Sequence, residues 1–148
     1  MGKVSDELGQ RVYMDTNIVI YAIEGIAGYA AQVQPLLLAM KTAEVFVVTS
    51  ELSLAETLVG PIKSNNLSIQ QTYRSFLTTS PILEVVPVSR RILEEAAQLR
   101  ATTKLQLPDA IHLATALQYQ CDSFLTNDVA FKSLNLPQVK MLADVDLT

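Results

Sequence analysis

Four acidic residues, Asp15, Glu56, Asp109 and Asp128, lie far apart in this 148-residue chain, each where an apolar run ends or on the inner edge of a helical segment. Solubility does not explain acids in such places. Gathered in one crevice, their carboxylates would repel one another and raise each other's pKa unless a cation compensated, so the set points to a pocket for a divalent ion. Oxygen donors without a Cys or His cluster favour Mg²⁺ or Mn²⁺ over zinc. The chain has a single cysteine, Cys121, and a single histidine, His112.

Each acid also has a plainer use. Asp15, in Met14-Asp15-Thr16-Asn17, can cap the helix that follows it. Glu56 shares an expected inner stripe with Leu52, Ala55 and Val59, or else closes a capping box with Ser53. Asp109 follows Pro108 at an expected helix N-terminus, beside a stripe of Ala110, Leu113, Ala114 and Leu117. Asp128 ends Phe124-Leu125-Thr126-Asn127-Asp128 and can cap a short helix running through Lys132. Singly these readings stay open, and the joint placement carries the metal-site argument. His112, one turn beyond Asp109, reads as a packing or supporting residue, and Cys121 as a buried small hydrophobe.

The elements that must position these acids follow from hydrophobic pattern. Short β-branched runs, Val12 to Met14, Val45 to Val48, Val85 to Val88, Ser123 to Thr126 and Val139 to Leu142, alternate with helical segments over 17–24, 30–42, 51–59, 68–79, 89–103 and 109–120. Strands without polar alternation suit burial on both faces of a parallel sheet, hence an α/β fold. Gly60 to Asn66 reads as a turn between helices. In such folds ligands bind outside the carboxyl ends of the strands, where Asp15 and Asp128 fall.

Composition sets limits on function. An apolar share of 49% and a charged share of 18% describe one folded domain over 1–148, with residues 1–10 expected as a flexible extension. The net charge of −4 argues against whole-surface binding to nucleic acid or anionic membrane. A local phosphate-binding rim is open to Lys63, Arg100 and Lys104, together with Arg90 and Arg91. The polar, acidic start lacks the order of a secretory signal, and no stretch reaches the ~20 apolar residues of a membrane helix. The expectation is a soluble cytoplasmic protein.

Val-Tyr-Met-Asp-Thr-Asn at 12–17, Glu51 to Gly60, Leu-Pro-Asp-Ala-Ile-His-Leu-Ala-Thr-Ala at 107–116 and Phe-Leu-Thr-Asn-Asp at 124–128 resemble the four acidic motifs of PIN domains, in order and across nearly the whole chain. Within that family the chain is most similar to single-domain VapC-type toxins. The resemblance implies a Rossmann-like three-layer α/β/α sandwich with a central parallel sheet, and a Mg²⁺- or Mn²⁺-dependent ribonuclease. It makes Asp15, Glu56, Asp109 and Asp128 the metal-site acids, with Asn17 and Thr126 supporting them. It also implies an RNA substrate, an antitoxin partner and a homodimer. The chain departs from the pattern at Ala130, where many relatives carry a further acid. That departure keeps open a degenerate PIN domain that binds RNA or protein without cutting. A receiver-like phospho-acceptor module is a more distant alternative, since such modules gather acids near the first strand and only Asp15 lies there.

Overall fold

The computed structural model describes residues 3–148. Strands β1 (Arg11–Met14), β2 (Phe46–Ser50), β3 (Leu83–Val86), β4 (Ser123–Thr126) and β5 (Val139–Met141) form one sheet in the order β3-β2-β1-β4-β5. Every pairing is parallel. Helices α1 (Val4–Leu8), α2 (Thr16–Glu24), α3 (Ala30–Lys41), α4 (Leu52–Lys63), α5 (Leu67–Thr78), α6 (Arg90–Thr102) and α7 (Leu107–Gln118) complete the chain, with 3₁₀ turns at Val129–Phe131 and Leu142–Asp144.

Side chains alternate across a strand, so the sheet feeds two cores. Val12, Met14, Val47 and Leu125 pack with Ile18, Val33, Leu36, Tyr73 and Leu77 on one face. Tyr13, Val48 and Phe124 pack with Ile92, Ala96, Ala110, Leu113 and Phe131 on the other. This is the expected three-layer α/β/α sandwich, with α6 and α7 covering the second face.

Three local expectations change. Residues 1–10 are not a free extension over the described part: Val4 and Leu8 of α1 are buried in the first core, because the polar segment carries two apolar residues one turn apart. Met1 and Gly2 lie outside the described residues. The expected turn at 60–66 is helical as far as Lys63, with Pro61 inside α4 and buried. The helix then stops in a Schellman arrangement, in which Asn66 N–H donates to the Pro61 carbonyl at 2.9 Å and Asn65 N–H to that of Ile62 at 3.2 Å. Strand β3 begins two residues earlier than expected, at Leu83, since Val85-Val86 drew attention from the half-polar start of an edge strand.

Gly9 joins α1 to β1 at φ +78°, ψ −172°, a region open in practice only to glycine. A Cβ there would sit 2.5 Å from that of Asp122, whose carboxylate accepts the Gln10 and Arg11 N–H groups at 2.9 Å each. Gly9→Ala is therefore expected to destabilise the fold by about 2 kcal/mol, read as a lowered denaturant midpoint at unchanged slope.

Candidate active site

The strand order reverses between β1 and β4, which opens a crevice at their carboxyl ends. Asp15 leaves β1 there and Thr126 to Asp128 leave β4, tied together by Asp15 N–H donating to the Leu125 carbonyl at 3.0 Å. Asp15 is 3% exposed. Its Oδ1 accepts Thr16 N–H at 2.8 Å, while Oδ2 accepts the Thr126 hydroxyl at 2.7 Å and the Asn17 amide at 3.2 Å. Asn17 in turn accepts the Asn127 N–H at 3.0 Å. Both supporting residues expected from sequence thus hold Asp15, which also caps α2. Burial pushes the Asp15 carboxyl above its ordinary pKa, although His112 and the bonds from Thr126 and Thr16 oppose the rise.

Asp109 lies in the first turn of α7 and is half-buried. Its pKa is pushed up to about 6, first by burial and then by the negative charges of Asp128 and Asp15. The helix around it is buried on nearly every side from Ala110 to Ala116, rather than along the single stripe expected. Asp128 accepts the Ala130 N–H at 2.9 Å and caps the Val129–Phe131 turn, so its plainer use is realised as well.

Glu56 reaches the site by a route the sequence did not suggest. The buried positions of α4 are Ser53, Thr57 and Pro61, while Ala55 and Val59 are exposed, so the expected stripe of Leu52, Ala55 and Val59 is not the inner face. Small hydroxyl residues let the helix lie close to the sheet. No capping box forms either, since Ser53 Oγ contacts Thr16 Oγ1 at 2.8 Å and Thr49 Oγ1 at 3.2 Å. Glu56 leans across this network: its Oε1 accepts the Thr16 hydroxyl at 2.8 Å and the His112 Nε2–H at 2.6 Å. Burial of Glu56 favours the neutral acid, but the bonds and charge from His112 and Thr16 win and hold its pKa below the ordinary value.

His112 is the hub that sequence reading placed but could not connect. It is 1% exposed, with Nε2 toward Glu56 and Nδ1 2.6 Å from the Tyr13 hydroxyl. Burial opposes charge on the imidazole; the bond to Glu56 and the charges of Asp15, Glu56 and Asp109 outweigh it and raise the pKa. Nε2 carries a proton in either state, because a carboxylate faces it. The chemical signal was available, since Tyr13 is a polar-tipped residue between the apolar Val12 and Met14 of β1.

The donor chemistry fits a hard divalent ion, as all four acids offer oxygen and burial disfavours the bare charge on Asp15 and Asp109, which a cation would offset. The spacing is more open than the chemistry. Among the described residues no three His, Cys, Asp or Glu side chains close into a group that could hold an ion. Like charges without a counter-ion keep apart, and Asp128 and Glu56 are already engaged with Ala130 and His112. Lys63, Arg100 and Lys104 are exposed, on α4, α6 and the α6–α7 connection, and among the described residues none of them enters an ion pair.

The PIN domain family matches residues 12–135, which spans all four acidic motifs. The chain belongs to the PIN domain family. Solved structures of PIN relatives superpose over most of its length. A toxin-antitoxin complex from Klebsiella pneumoniae is 26% identical, covering 90% of this chain and 99% of its own, at a TM-score of 0.67. VapC20 of Mycobacterium tuberculosis, a toxin that cleaves the sarcin-ricin loop, shares the fold at a TM-score of 0.72 and 15% identity, over 87% of this chain and 98% of its own. VapBC2 from Rickettsia felis, bound to promoter DNA, gives 0.67 at 20% identity, over 89% and 98%. Comparison with curated proteins by sequence gives no match. Among the described residues no helix of this PIN domain is long and apolar enough to cross a membrane.

Proposed function

We propose that this PIN domain is a Mg²⁺- or Mn²⁺-dependent endoribonuclease, the toxin of a toxin-antitoxin pair, working in the cytoplasm as a homodimer. The observation that carries the reading is the placing of Asp15 at the β1/β4 crevice with Asp109 near enough for the Asp15 charge to help raise its pKa, both carboxyls being pushed up first by burial. The similarity to a toxin-antitoxin complex supports the partner. Asp15 and Asp109 would hold the ion, with Asp128 and Glu56 completing its environment. An ion bound there would supply a Lewis acid for the phosphodiester and a lowered pKa for the attacking water. Asn17 and Thr126 keep Asp15 aimed by occupying Oδ2, and Thr16 occupies Oδ1 from the backbone. Glu56, clamped through Oε1, keeps Oε2 available to orient water. Addition of Mn²⁺ to purified protein should start cleavage of single-stranded RNA, and a chelator should stop it; cleavage that persists in chelator would sink the reading.

An acidic nuclease must still hold a polyanion. Lys63, Arg100 and Lys104 are free of ion pairs among the described residues, so they can serve as the phosphate-binding rim. Arg100→Ala is expected to weaken RNA binding a few-fold and to reduce the slope of log affinity against log salt by about one. An unchanged slope would remove Arg100 from the rim.

One observation favours a second reading, a PIN domain that binds RNA or protein without cutting. Among the described residues no group of three donors is closed, and Ala130 offers no carboxylate after the last motif. RNA binding with no cleavage at any Mn²⁺ concentration would select it.

A further inference from the structure

Beside the acidic crevice lies a pair of aromatic rings that the proposed chemistry does not use. Tyr21 of α2 and Tyr29, the N-cap of α3, stack with centroids 4.3 Å apart and planes 14° from parallel. Tyr21 is fixed to the site itself. Its hydroxyl accepts the Asn127 side-chain amide at 2.9 Å, and the Asn127 N–H donates to Asn17, which donates to Asp15. Tyr21 is thereby tied to the residue that lies between Thr126 and Asp128 in the chain. Tyr29 is held by its own turn: Gly28 takes φ +88°, and Tyr29 N–H donates to the Ile26 carbonyl at 3.1 Å. One face of Tyr29 covers Tyr21, and the residue remains 37% exposed.

We infer that the Tyr29–Tyr21 stack is a platform for a nucleobase of single-stranded RNA, taking the base next to the scissile phosphate or the one beyond it. The inference rests on the ribonuclease reading for the identity of the chain it receives. A flat, partly exposed ring suits any base, because every base has a π-face, and uncharged stacking adds grip without adding charge to a net acidic protein. A fixed platform also holds one nucleotide still while the phosphate next to it lies against the carboxylates. Two stacked tyrosines resist tilting better than one, and the bond to Asn127 keeps their position in register with Asp15.

The test measures binding by fluorescence anisotropy in an Asp109→Asn background, so that cleavage does not interfere. The probes are a short labelled oligouridylate and a strand of the same length and charge with abasic ribose throughout. Tyr29→Leu keeps an apolar contact with Tyr21 but loses the π-face; it is expected to weaken oligouridylate binding about tenfold and to leave the abasic strand unaffected. Tyr29→Trp should bind oligouridylate at least as tightly as the parent. Equal weakening on both strands, no weakening, no binding of either strand, or a loss confined to a co-purified protein partner would each overturn the platform. Thermal melts of the variants exclude unfolding as the cause. Mn²⁺-dependent cleavage by the unmutated protein is scored separately. Tyr29-dependent binding without cleavage keeps the platform and removes the ribonuclease reading, and cleavage without Tyr29-dependent binding does the reverse.

Discussion

Purified Asp109→Asn is expected to lose at least a hundredfold of Mn²⁺-dependent RNA cleavage, while its metal-free form is expected to unfold at a higher temperature than the parent at pH 7. The first effect follows from removing a charged oxygen where charge develops on the phosphodiester. The second follows from the same carboxylate's surroundings. The Asp109 carboxyl is pushed up to about 6 in the fold from its ordinary 3.8, because burial and the charges of Asp128 and Asp15 oppose its ionisation. A raised carboxyl pKa means that the folded state holds the proton longer than the unfolded chain does, so stability falls as pH rises from about 4 to about 6. The neutral amide escapes that loss. Asp109 is half-exposed, so after solvent screening the gain is about 1 kcal/mol, present above pH 6 and absent below about pH 4.

Asp15→Asn is the informative contrast. Both of its oxygens accept hydrogen bonds, Oδ1 from Thr16 N–H and Oδ2 from the Thr126 hydroxyl and the Asn17 amide, and an amide can offer only one acceptor oxygen. Cleavage is expected to fall as far, but stability should fall too, by about 1–2 kcal/mol. Mn²⁺ should raise the melting temperature of the parent by mass action and leave both variants nearly unmoved. Retained cleavage in both variants would end the metal-site assignment, and a destabilised Asp109→Asn would show that its charge is not strained.

The inner strands β1 and β4 were readable because their runs are buried on both faces: β4 falls on the four residues expected, Ser123 to Thr126, and β1 differs by one residue, whereas the edge strand β3, with Glu84 exposed, lies two residues from its expected place. The acids were readable for the opposite reason, being polar groups at the ends of such runs. What escaped was set by contacts between distant segments. The inner face of α4 is Ser53, Thr57 and Pro61, which hydropathy does not mark as an apolar stripe; the Ser53 hydroxyl meets Thr16 of α2 and Thr49 of β2, while the Thr57 hydroxyl donates to the Leu54 carbonyl of its own helix. His112 could be placed one turn after Asp109, but Tyr13 and Glu56 meet it only through the fold, 99 and 56 positions away. Ligand spacing was beyond reach too, since four carboxylates specify a pocket without specifying how far apart they rest when no cation draws them in.

His112→Leu is expected to cost about 3 kcal/mol of stability, more than any surface change, even though leucine fills a similar volume. The loss comes from what is left behind. The Tyr13 hydroxyl would remain in a core that is 0% exposed with its partner gone, and an orphaned buried hydroxyl costs about 1–3 kcal/mol. Glu56 would lose a charged hydrogen bond, a smaller cost because its side chain is 33% exposed and can turn to water. If that account is correct, removing the hydroxyl as well should recover part of the loss: Tyr13→Phe with His112→Leu is expected to be more stable than the sum of the single variants by at least about 1 kcal/mol. The pH dependence separates this pair from Asp109. A histidine whose pKa is raised in the fold contributes stability that is complete below its unfolded value of 6.5 and is lost as pH rises through its folded value. The parent should therefore lose stability above pH 6.5, outside the window of Asp109, and His112→Leu should lack that slope. Denaturant melts between pH 5 and pH 9 read both quantities; additive variants with parallel pH profiles would mean that Tyr13, His112 and Glu56 do not act as one buried strut.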